Sequence, residues 1–411
     1  MQKKVLIVDD SALMRRVLSD IINSDPRFQV SKVAVNGLEA FLLLTQQKET
    51  YDAIILDINM PQMSGIELLE QLEQKKIKAA IIIVSTVAKE GAKETIKALE
   101  LGAFDFVTKP ESFFEVKSDK FKDKIISCLE TATKLYNLNE KEILKEVEPK
   151  KPEGIQRRTF PTDTNIFSRR ESTVSSGNNA AEFAAAKQAT ADKLTSANAA
   201  NKVPTAEKPA SARTTIVNGK KLVAIACSTG GPKALQQVVT KLSASLGCSV
   251  LIVQHMPEGF TASLANRLNE ISMVKVKEAE HLETLKDDTV YIAKGGYQMR
   301  FAIAEQGKAA LTVTQEPPKN GLKPCADYMF ESLAESGFSE IICVVLTGMG
   351  GDGTYGIKKL KEKKNIYVIA QDEATSTVYG MPKVVRDAGL VNEVVPLEQI
   401  ASAIQRSLGV Q

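Results

Sequence analysis

Apolar runs alternate with amphipathic stretches along the first 135 residues. Four runs predict buried strands: VLIV (5–8), DAIILDI (52–58), AAIIIVS (79–85) and FDFVTK (104–109). Four stretches with helical periodicity separate or follow them: ALMRRVLSDIIN, GLEAFLLLTQQ, GIELLEQLEQ and GAKETIKALEL. Strands and helices that alternate at this spacing predict a doubly wound parallel sheet, so residues 1–135 are expected to form one α/β domain.

The pattern stops at about residue 136. A charged, proline-bounded segment is followed by a long stretch rich in Ser, Thr, Ala and Asn, with few large apolar residues. Such a stretch cannot bury enough surface to offset the entropy lost on ordering. The sequence therefore predicts a flexible, disordered linker over residues 136–217.

Order is predicted again over residues 218–411. Four further runs predict strands: LVAIAC (222–227), SVLIVQH (249–255), IICVVLTG (341–348) and IYVIAQD (366–372). Between them, residues 289–315 alternate apolar and polar positions around glycine turns, which favours an antiparallel hairpin. The second domain is therefore expected to be a Rossmann-like α/β domain that also carries a hairpin.

Charge and composition narrow the function classes. With 53 basic and 50 acidic residues the net charge is +3, which is not the footprint of a nucleic-acid-binding protein. No basic recognition helix follows the first domain, which disfavours a DNA-binding regulator. No apolar run approaches the ~20 residues of a membrane span, so no membrane insertion is expected. The five cysteines are scattered without a CxxC pair, which indicates a reduced, cytoplasmic protein without a zinc site.

Acidic residues and a lysine follow the strands of the first domain. Asp9 and Asp10 follow the first strand, Asp57 and Ser85 end later strands, and Lys109 ends the last. Chemistry collects at the carboxyl ends of parallel strands, and carboxylates that converge there need a cation such as Mg²⁺. Each residue alone is as well explained by a helix cap or a surface charge. The complete set favours a carboxylate that accepts a phosphoryl group, because Mg²⁺ and the lysine ammonium would both neutralise charge on the oxygens of the transferring group.

These residues lie in motifs that closely resemble the receiver domain of response regulators: VDDS (8–11), LDINMPQMSG (56–65), VST (84–86) and FVTKP (106–110). The resemblance implies a flavodoxin-like fold, with Asp57 as the phosphoacceptor. It further implies that Mg²⁺ is held by Asp9, Asp10, Asp57 and the Asn59 carbonyl. It assigns phosphorylation-dependent switching to Ser85, Phe106 and Lys109.

The second domain offers candidates for nucleophilic catalysis. Ser228 ends a strand and precedes a Gly-Gly turn, a place where a hydroxyl lies near free backbone N–H groups. A capping serine in a glycine-rich turn explains that pattern equally well. The chain has two histidines, of which His255 ends a buried strand and His281 lies in a polar stretch. A His-dependent hydrolase would therefore use His255, although a lone histidine is more often structural.

Two interpretations compete for the stretch LTGMGGDG (346–353). Asp352 follows a strand, where a carboxylate could orient an imidazole. The same letters fit G-x-G-x-x-G between a strand and a helix, and Asp372 ends the next strand, as in a dinucleotide-binding fingerprint. The alternative function is therefore a receiver-gated regulator that binds NAD(P)H and hydrolyses nothing.

The remaining motifs favour the hydrolase. Four stretches resemble the catalytic domain of chemotaxis protein-glutamate methylesterases, in the family's order: ACSTGGP (226–232), QHMPEGFTASLANRL (254–268), LTGMGGDG (346–353) and residues 374–401. The resemblance implies a Ser228, His255 and Asp352 triad that needs no cofactor. Main-chain N–H groups near Thr229 and Met349 would hold the oxyanion.

The same resemblance implies the biological setting. The substrates would be glutamate γ-methyl esters on the cytoplasmic domains of methylated chemoreceptors, and some family members also deamidate receptor glutamines. A chemotaxis histidine kinase would be the phosphodonor.

The sequence departs from the family in two places. The family usually has proline and histidine at the positions of Lys294 and Gln298, and Pro-Ser-Val-Asp at residues 324–327, where this chain has Pro-Cys-Ala-Asp. Both changes are expected to alter the substrate groove without touching the triad.

Overall fold

Five parallel strands form the sheet of the N-terminal domain in the computed structural model, which describes residues 2–46, 50–86, 88–110, 119–147 and 219–410. The strands are β1 (Lys3–Val8), β2 (Phe28–Ala34), β3 (Ala53–Asp57), β4 (Ile81–Ser85) and β5 (Asp105–Thr108). The helices are α1 (Ala12–Asn23), α2 (Gly37–Gln46), α3 (Gly65–Gln74), α4 (Lys89–Glu100) and α5 (Asp119–Val147).

The strand order is β2-β1-β3-β4-β5, the flavodoxin-like order, and the predicted fold is confirmed. The apolar residues of β1, β3 and β4 are almost fully buried, since helices cover both faces of the sheet. The strand β2 was not among the predicted apolar runs. It lies at the sheet edge and buries only its two end residues, Phe28 and Ala34, so its sequence carries little hydrophobic signal.

The helix α5 continues to Val147, past the domain boundary predicted at residue 135. Its last turns contain NEKEILKEV, whose glutamates, lysines and leucine are good helix formers. The rest of the predicted linker, residues 148–217, lies outside the described residues.

The C-terminal domain is built on seven parallel strands with a separate hairpin. Its strands are β6 (Lys221–Cys227), β7 (Val250–Gln254), β8 (Lys275–Glu278), β9 (Thr289–Ile292), β10 (Gln298–Ile303), β11 (Ala309–Thr314), β12 (Glu340–Val345), β13 (Ile366–Gln371) and β14 (Glu393–Val395). Its helices are α6 (Gly231–Val239), α7 (Phe260–Ile271), α8 (Ala326–Ser332), α9 (Thr354–Lys361), α10 (Met381–Asp387) and α11 (Leu397–Leu408).

The large sheet has the order β14-β13-β12-β6-β7-β9-β8. The chain first adds β7 and its neighbours on one side of β6 and later adds β12 on the other side. This reversal is a topological switch point, where parallel sheets form a crevice at the strands' carboxyl ends. The antiparallel hairpin is also confirmed, as β10 pairs with β11 from Gln298 to Ile303. The first residues of the predicted hairpin stretch, 289–292, instead form β9, a parallel strand of the large sheet.

All five cysteines are buried and free of disulfides. None of the helices in the described part of the chain has the length and apolar character of a membrane span.

Candidate active site

The acidic pocket of the N-terminal domain assembles as the sequence predicts. Asp57 ends β3 and is 6% exposed, and Asp9 follows β1 and is 1% exposed. Lys109 follows β5, and its Nζ lies 2.6 Å from Asp57 Oδ2 and 3.1 Å from Asp9 Oδ2. Three separate strand ends therefore bring two buried carboxylates and one ammonium group together.

The pocket has the chemistry of a Mg²⁺ site. Single oxygens from Asp9, Asp10 and Asp57 lie within 4.8 Å of one another. Asp9 Oδ2 is buried and accepts no hydrogen bond of good geometry from the described residues, although the Lys109 ammonium lies 3.1 Å away, so it can still accept a bound cation. The predicted fourth residue, Asn59, lies exposed in the loop just after β3. An all-oxygen set of this kind fits Mg²⁺.

Charge in this pocket is only partly balanced. Burial raises the pKa of Asp57, and the negative charge of Asp9 adds to that effect, while the hydrogen bond from Lys109 opposes it. Burial by itself would lower the pKa of Lys109, but its interactions with Asp57 and Asp9 outweigh burial and raise it. The ionised Asp57 is therefore poorly stabilised by its own protein, and a second cation would favour it.

The predicted switch residues connect this pocket to the other domain. Ser85 ends β4 and is buried, with its Oγ 3.3 Å from the Gly91 carbonyl oxygen. Phe106 is buried in β5, and its ring lies 4.6 Å from the ring of Phe260 at the start of α7. The aromatic switch residue thus packs directly against the C-terminal domain.

Ser228 lies where the sequence places it, between β6 and α6 at the switch point of the large sheet. The turn depends on Gly230, whose φ of 78° is left-handed, and on Pro232 in the first turn of α6. Across the crevice, a Cβ on Gly348 would lie 2.8 Å from the Ser228 Cβ. Glycine at 348 therefore lets the end of β12 approach the serine.

His255 and Asp352 form a direct pair in the same crevice. The His255 Nε2 lies 2.8 Å from Asp352 Oδ2, and the two side chains are 10% and 4% exposed. With Nε2 bonded to the carboxylate, Nδ1 is the ring nitrogen left to accept a proton. A buried carboxylate at this distance fixes the ring and stabilises its protonated form.

Asp352 accepts an unusually complete set of hydrogen bonds. Besides His255, the donors are the Ala326 N–H at 2.6 Å, the Asp327 N–H at 3.1 Å and the Cys325 thiol at 3.1 Å. Burial raises the pKa of Asp352, but the bonds from His255, Ala326 and Cys325 outweigh burial and lower it to about 2. The carboxylate is therefore held in its charged form.

These contacts correct one expectation. Residues 324–327 were expected to leave the triad untouched, yet Cys325, Ala326 and Asp327 all donate to Asp352. The reason is tertiary: Asp352 precedes α9, which packs against α8, so the N-terminus of α8 meets the carboxylate. The departure from the family therefore lies directly against the proposed acid.

Ser228 and His255 line one cavity of about 350 Å³ together with Thr229 and Met349. Among the described residues, no hydrogen bond joins the Ser228 and His255 side chains. The backbone N–H groups of Thr229 and Met349 likewise donate to no other described residue, so both can donate a hydrogen bond to an oxygen of a bound ligand. Hydrogen bonds between a nucleophile and its base often form fully only when substrate is bound.

The N-terminal domain forms one wall of this cavity through residues 105–108 of β5. The Thr229 hydroxyl donates to Asp105 Oδ2 at 2.7 Å, and the Met349 Sδ lies 3.4 Å from Thr131 Oγ1 of α5. Both residues proposed for the oxyanion are thus held by the N-terminal domain.

An ion pair extends the contact beside the cavity. Arg267 of α7 binds Glu100 of α4 through two hydrogen bonds, of 2.9 and 3.2 Å.

Two other residues from the sequence analysis have different surroundings. His281 is exposed, as expected, and its Nδ1 accepts the Val313 N–H at 3.1 Å. Asp372, the acid of the dinucleotide fingerprint, binds the Thr375 N–H at 3.0 Å and the Thr375 hydroxyl at 2.5 Å. Its carboxylate is thus engaged within its own turn, which weakens the dinucleotide alternative.

Sequence reasoning missed Gln254, which precedes His255. Its buried side chain donates to the Ser228 carbonyl at 3.0 Å and the His255 carbonyl at 3.2 Å, so it joins the ends of β6 and β7. A Cβ on Gly231 would lie 1.9 Å from Gln254 Oε1, so glycine there makes room for this amide. A glutamine within an apolar strand run was the available signal.

Comparisons with known proteins identify the family of each domain. Residues 5–118 match the response regulator receiver domain, and residues 223–404 match the CheB methylesterase family. A protein-glutamate methylesterase/protein-glutamine glutaminase of Pyrococcus abyssi is 36% identical over 98% of this chain and 93% of its own length. The enzyme of the same name from Geobacillus kaustophilus is 36% identical over 99% of each chain.

One solved structure is also similar. The crystal structure of the CheB methylesterase catalytic domain of Thermotoga maritima has 39% sequence identity and a TM-score of 0.44, and the match covers 46% of this chain and 100% of that one.

Proposed function

Since this chain belongs to the protein-glutamate methylesterase/protein-glutamine glutaminase family and carries a receiver domain, we propose that it hydrolyses glutamate γ-methyl esters on chemoreceptors when Asp57 is phosphorylated. The observation that carries this proposal is the crevice at the switch point, where Ser228 and the His255–Asp352 pair line one cavity beneath the receiver domain.

The proposed reaction passes through an acyl-enzyme. Ser228 Oγ attacks the ester carbonyl carbon while His255 Nδ1 takes the hydroxyl proton. The tetrahedral intermediate collapses as the imidazolium returns that proton to the departing methoxide, which leaves as methanol. Water, deprotonated by His255, then attacks the acyl-enzyme carbonyl. As this second tetrahedral intermediate collapses, the imidazolium returns the proton to Ser228 Oγ and the glutamate is released. Asp352 stabilises the imidazolium in both halves of the cycle.

The oxyanion would be held by backbone N–H groups of Thr229 and Met349, which lie beside the serine and donate to no other described residue. Removal of one such donor typically costs about 10²- to 10³-fold in turnover. The esterase reaction as written uses only residues of this chain, so we propose that it needs no cofactor.

The receiver domain implies binding of Mg²⁺ for phosphorylation. Asp9, Asp10, Asp57 and the Asn59 carbonyl would hold the ion, which neutralises phosphoryl oxygens during transfer to Asp57. Lys109 then forms an ion pair with the phosphorylated side chain. Ser85 moves to contact a phosphoryl oxygen, and the Phe106 side chain moves together with Ser85.

The receiver domain would regulate the esterase because it forms one wall of the cavity that holds Ser228. Phosphorylation adds about −1.5 to −2 charges at Asp57. Movement of Ser85 and Phe106 would disturb the packing of Phe106 on Phe260 and the bond between Asp105 and Thr229. The population in which the receiver covers the cavity therefore falls, and substrate gains access.

The chain is proposed to divide into a receiver at 1–135, a flexible linker at 136–217 and a catalytic domain at 218–411. A chemotaxis histidine kinase would supply the phosphoryl group. Because the ester substrates lie on cytoplasmic receptor domains, we place the protein in the cytoplasm. Deamidation of receptor glutamines uses the same acyl-enzyme, with ammonia leaving in place of methanol.

Methanol release from methylated receptor, measured with and without a small phosphodonor, tests this function. Release that rises with phosphodonor is expected. Absence of release in both conditions, together with saturable quenching or enhancement of NAD(P)H fluorescence, would favour the dinucleotide-binding alternative.

A further inference from the structure

Two buried polar residues, Gln298 and Cys325, lie against one another in the fold. Gln298 begins β10 and Cys325 precedes α8, and both are 0% exposed. The Cys325 N–H donates to Gln298 Oε1 at 2.8 Å, and the Gln298 amide donates to the Leu322 carbonyl at 3.1 Å. One buried amide therefore fixes both sides of the segment that leads into α8.

That segment delivers three of the four donors to Asp352. The Cys325 thiol and the Asp327 N–H reach Oδ1, while the Ala326 N–H shares Oδ2 with His255. The contact is reciprocal, because Asp327 Oδ1 accepts the N–H groups of Gly353 and Gly356 at 3.0 and 2.8 Å. The Asp352 carboxylate thus binds the start of α8, and the Asp327 carboxylate binds the start of α9.

The thiol has the protonation state that this contact requires. Burial and the neighbouring Asp352 charge raise the pKa of Cys325 to about 12, so the thiol keeps its proton and donates it. A thiol is a weaker donor than a hydroxyl. The thiol therefore neutralises the Asp352 charge less than a serine hydroxyl would at the same place.

We propose that Gln298 and Cys325 are a coupled pair of positioning residues that set the orientation and effective charge of Asp352, and through it the basicity of the histidine in ester hydrolysis. This inference rests on the proposed triad. Gln298 acts through the Cys325 segment, so the two residues are expected to contribute as one unit.

The test uses the full-length protein with phosphodonor and measures kcat, KM and the pH dependence of methanol release. Cys325→Ala is expected to lower kcat about three- to tenfold with little change in KM, in keeping with one weak hydrogen bond to a charged group. With one donor gone, Asp352 is more negative and favours the imidazolium. The acid limb of the pH profile should then move to higher pH. Cys325→Ser should restore kcat and return the limb to the wild-type position or below.

Cys343→Ala is the matched control, since Cys343 is an equally buried thiol in β12 that makes no contact with the triad in the described structure. It should leave the pH profile unchanged. Gln298→Met should resemble Cys325→Ala, and the double variant should be little worse than either. If Gln298→Met unfolds, Gln298→His replaces it and should keep most of the activity.

An unchanged kcat and pH profile in Cys325→Ala, or a loss matched by Cys343→Ala, would overturn the positioning role. A uniform loss at every pH without rescue by serine would also overturn it, because that pattern marks a packing defect. These outcomes differ from failure of the triad itself, in which Ser228→Ala would remain active.

Discussion

Asp57, the last residue of β3, and Asp352, in the loop between β12 and α9, are two buried acids with contrasting surroundings. Both are largely buried and lie at or just after the carboxyl end of a parallel strand. Asp57 accepts hydrogen bonds from two donors, the Lys109 ammonium and the Ile58 N–H, and burial raises its pKa. Asp352 has four donors, and its pKa falls to about 2.

The difference matches the two proposed roles. A carboxylate that is to receive a phosphoryl group must keep oxygens open and can be left short of donors until a cation arrives. A carboxylate that only orients an imidazole works best when it is fixed and permanently charged. The number of hydrogen-bond donors, rather than the fold or the burial, therefore separates a reactive aspartate from an orienting one.

The largest effect is expected at the nucleophile. Ser228→Ala should lower methanol release by on the order of 10⁴-fold or more, since the members of a triad act as a unit. Adding His255→Ala should cost little further. Methanol release at fixed receptor concentration checks both variants.

His281→Ala is the control, because this exposed histidine takes no part in the triad and its loss should be nearly neutral. Losses that multiply in the double variant, or a large loss in the control, would contradict the triad and with it the role given to Asp352.

The next largest effect is expected when the receiver domain, which forms one wall of the cavity, is removed. Residues 218–411 produced alone should hydrolyse methylated receptor faster than the unphosphorylated full chain, without phosphodonor. Coupling between sites is typically 1–3 kcal/mol, which corresponds to an increase of about 5- to 150-fold. Equal rates would mean that the receiver acts by recruiting the enzyme and not by covering its cavity.

A smaller effect is expected at the ion pair beside the cavity. Glu100→Ala removes the receiver partner of Arg267, a half-exposed pair worth up to about 1 kcal/mol. Basal methanol release should rise by up to about fivefold. Glu270→Ala is the matched control, because Glu270 lies 3.6 Å from the same guanidinium but belongs to the catalytic domain. A rise of the same size in the control would show that the contact between domains is not responsible.

The smallest effect is on the free energy of unfolding. The charge of Asp352 is expected to increase it, and the charge of Asp57 is expected to decrease it. Asp352 has a lowered folded-state pKa, so its charge stabilises the fold above the unfolded value of 3.8, and this contribution is lost as the pH falls through about 2. Asp57 has a raised pKa, so its charge opposes folding at neutral pH.

Thermal unfolding at pH 7 without Mg²⁺ measures this contrast. Asp57→Asn should raise the melting temperature of the receiver transition, and Asp352→Asn should lower that of the catalytic transition. Shifts of the same sign would contradict the electrostatic comparison.

The sequence allowed both sheets and both sites to be predicted, because their strands are buried runs that end in the chemical residues. It did not reveal β2, β8 or β14, which lie at sheet edges and bury few apolar residues. It also did not reveal that residues 289–292, which were predicted within the hairpin stretch, form β9 in the parallel sheet. The contacts of residues 325–327 with Asp352 were also missed, since they arise from the packing of α8 against α9. Gln254 was overlooked for a related reason: its role depends on two backbone carbonyls that only the folded sheet brings together.

The central claim is that phosphorylation of Asp57 opens a cavity in which Ser228 already lies beside the bonded His255–Asp352 pair. Its most direct test is the initial rate of methanol release from methylated receptor by the full chain and by Asp57→Ala, each with Mg²⁺ and with or without a small phosphodonor. Phosphodonor should raise the wild-type rate about 5- to 150-fold and leave Asp57→Ala at the basal wild-type rate. An equal rise in both proteins, or no rise in the wild type, would contradict the claim.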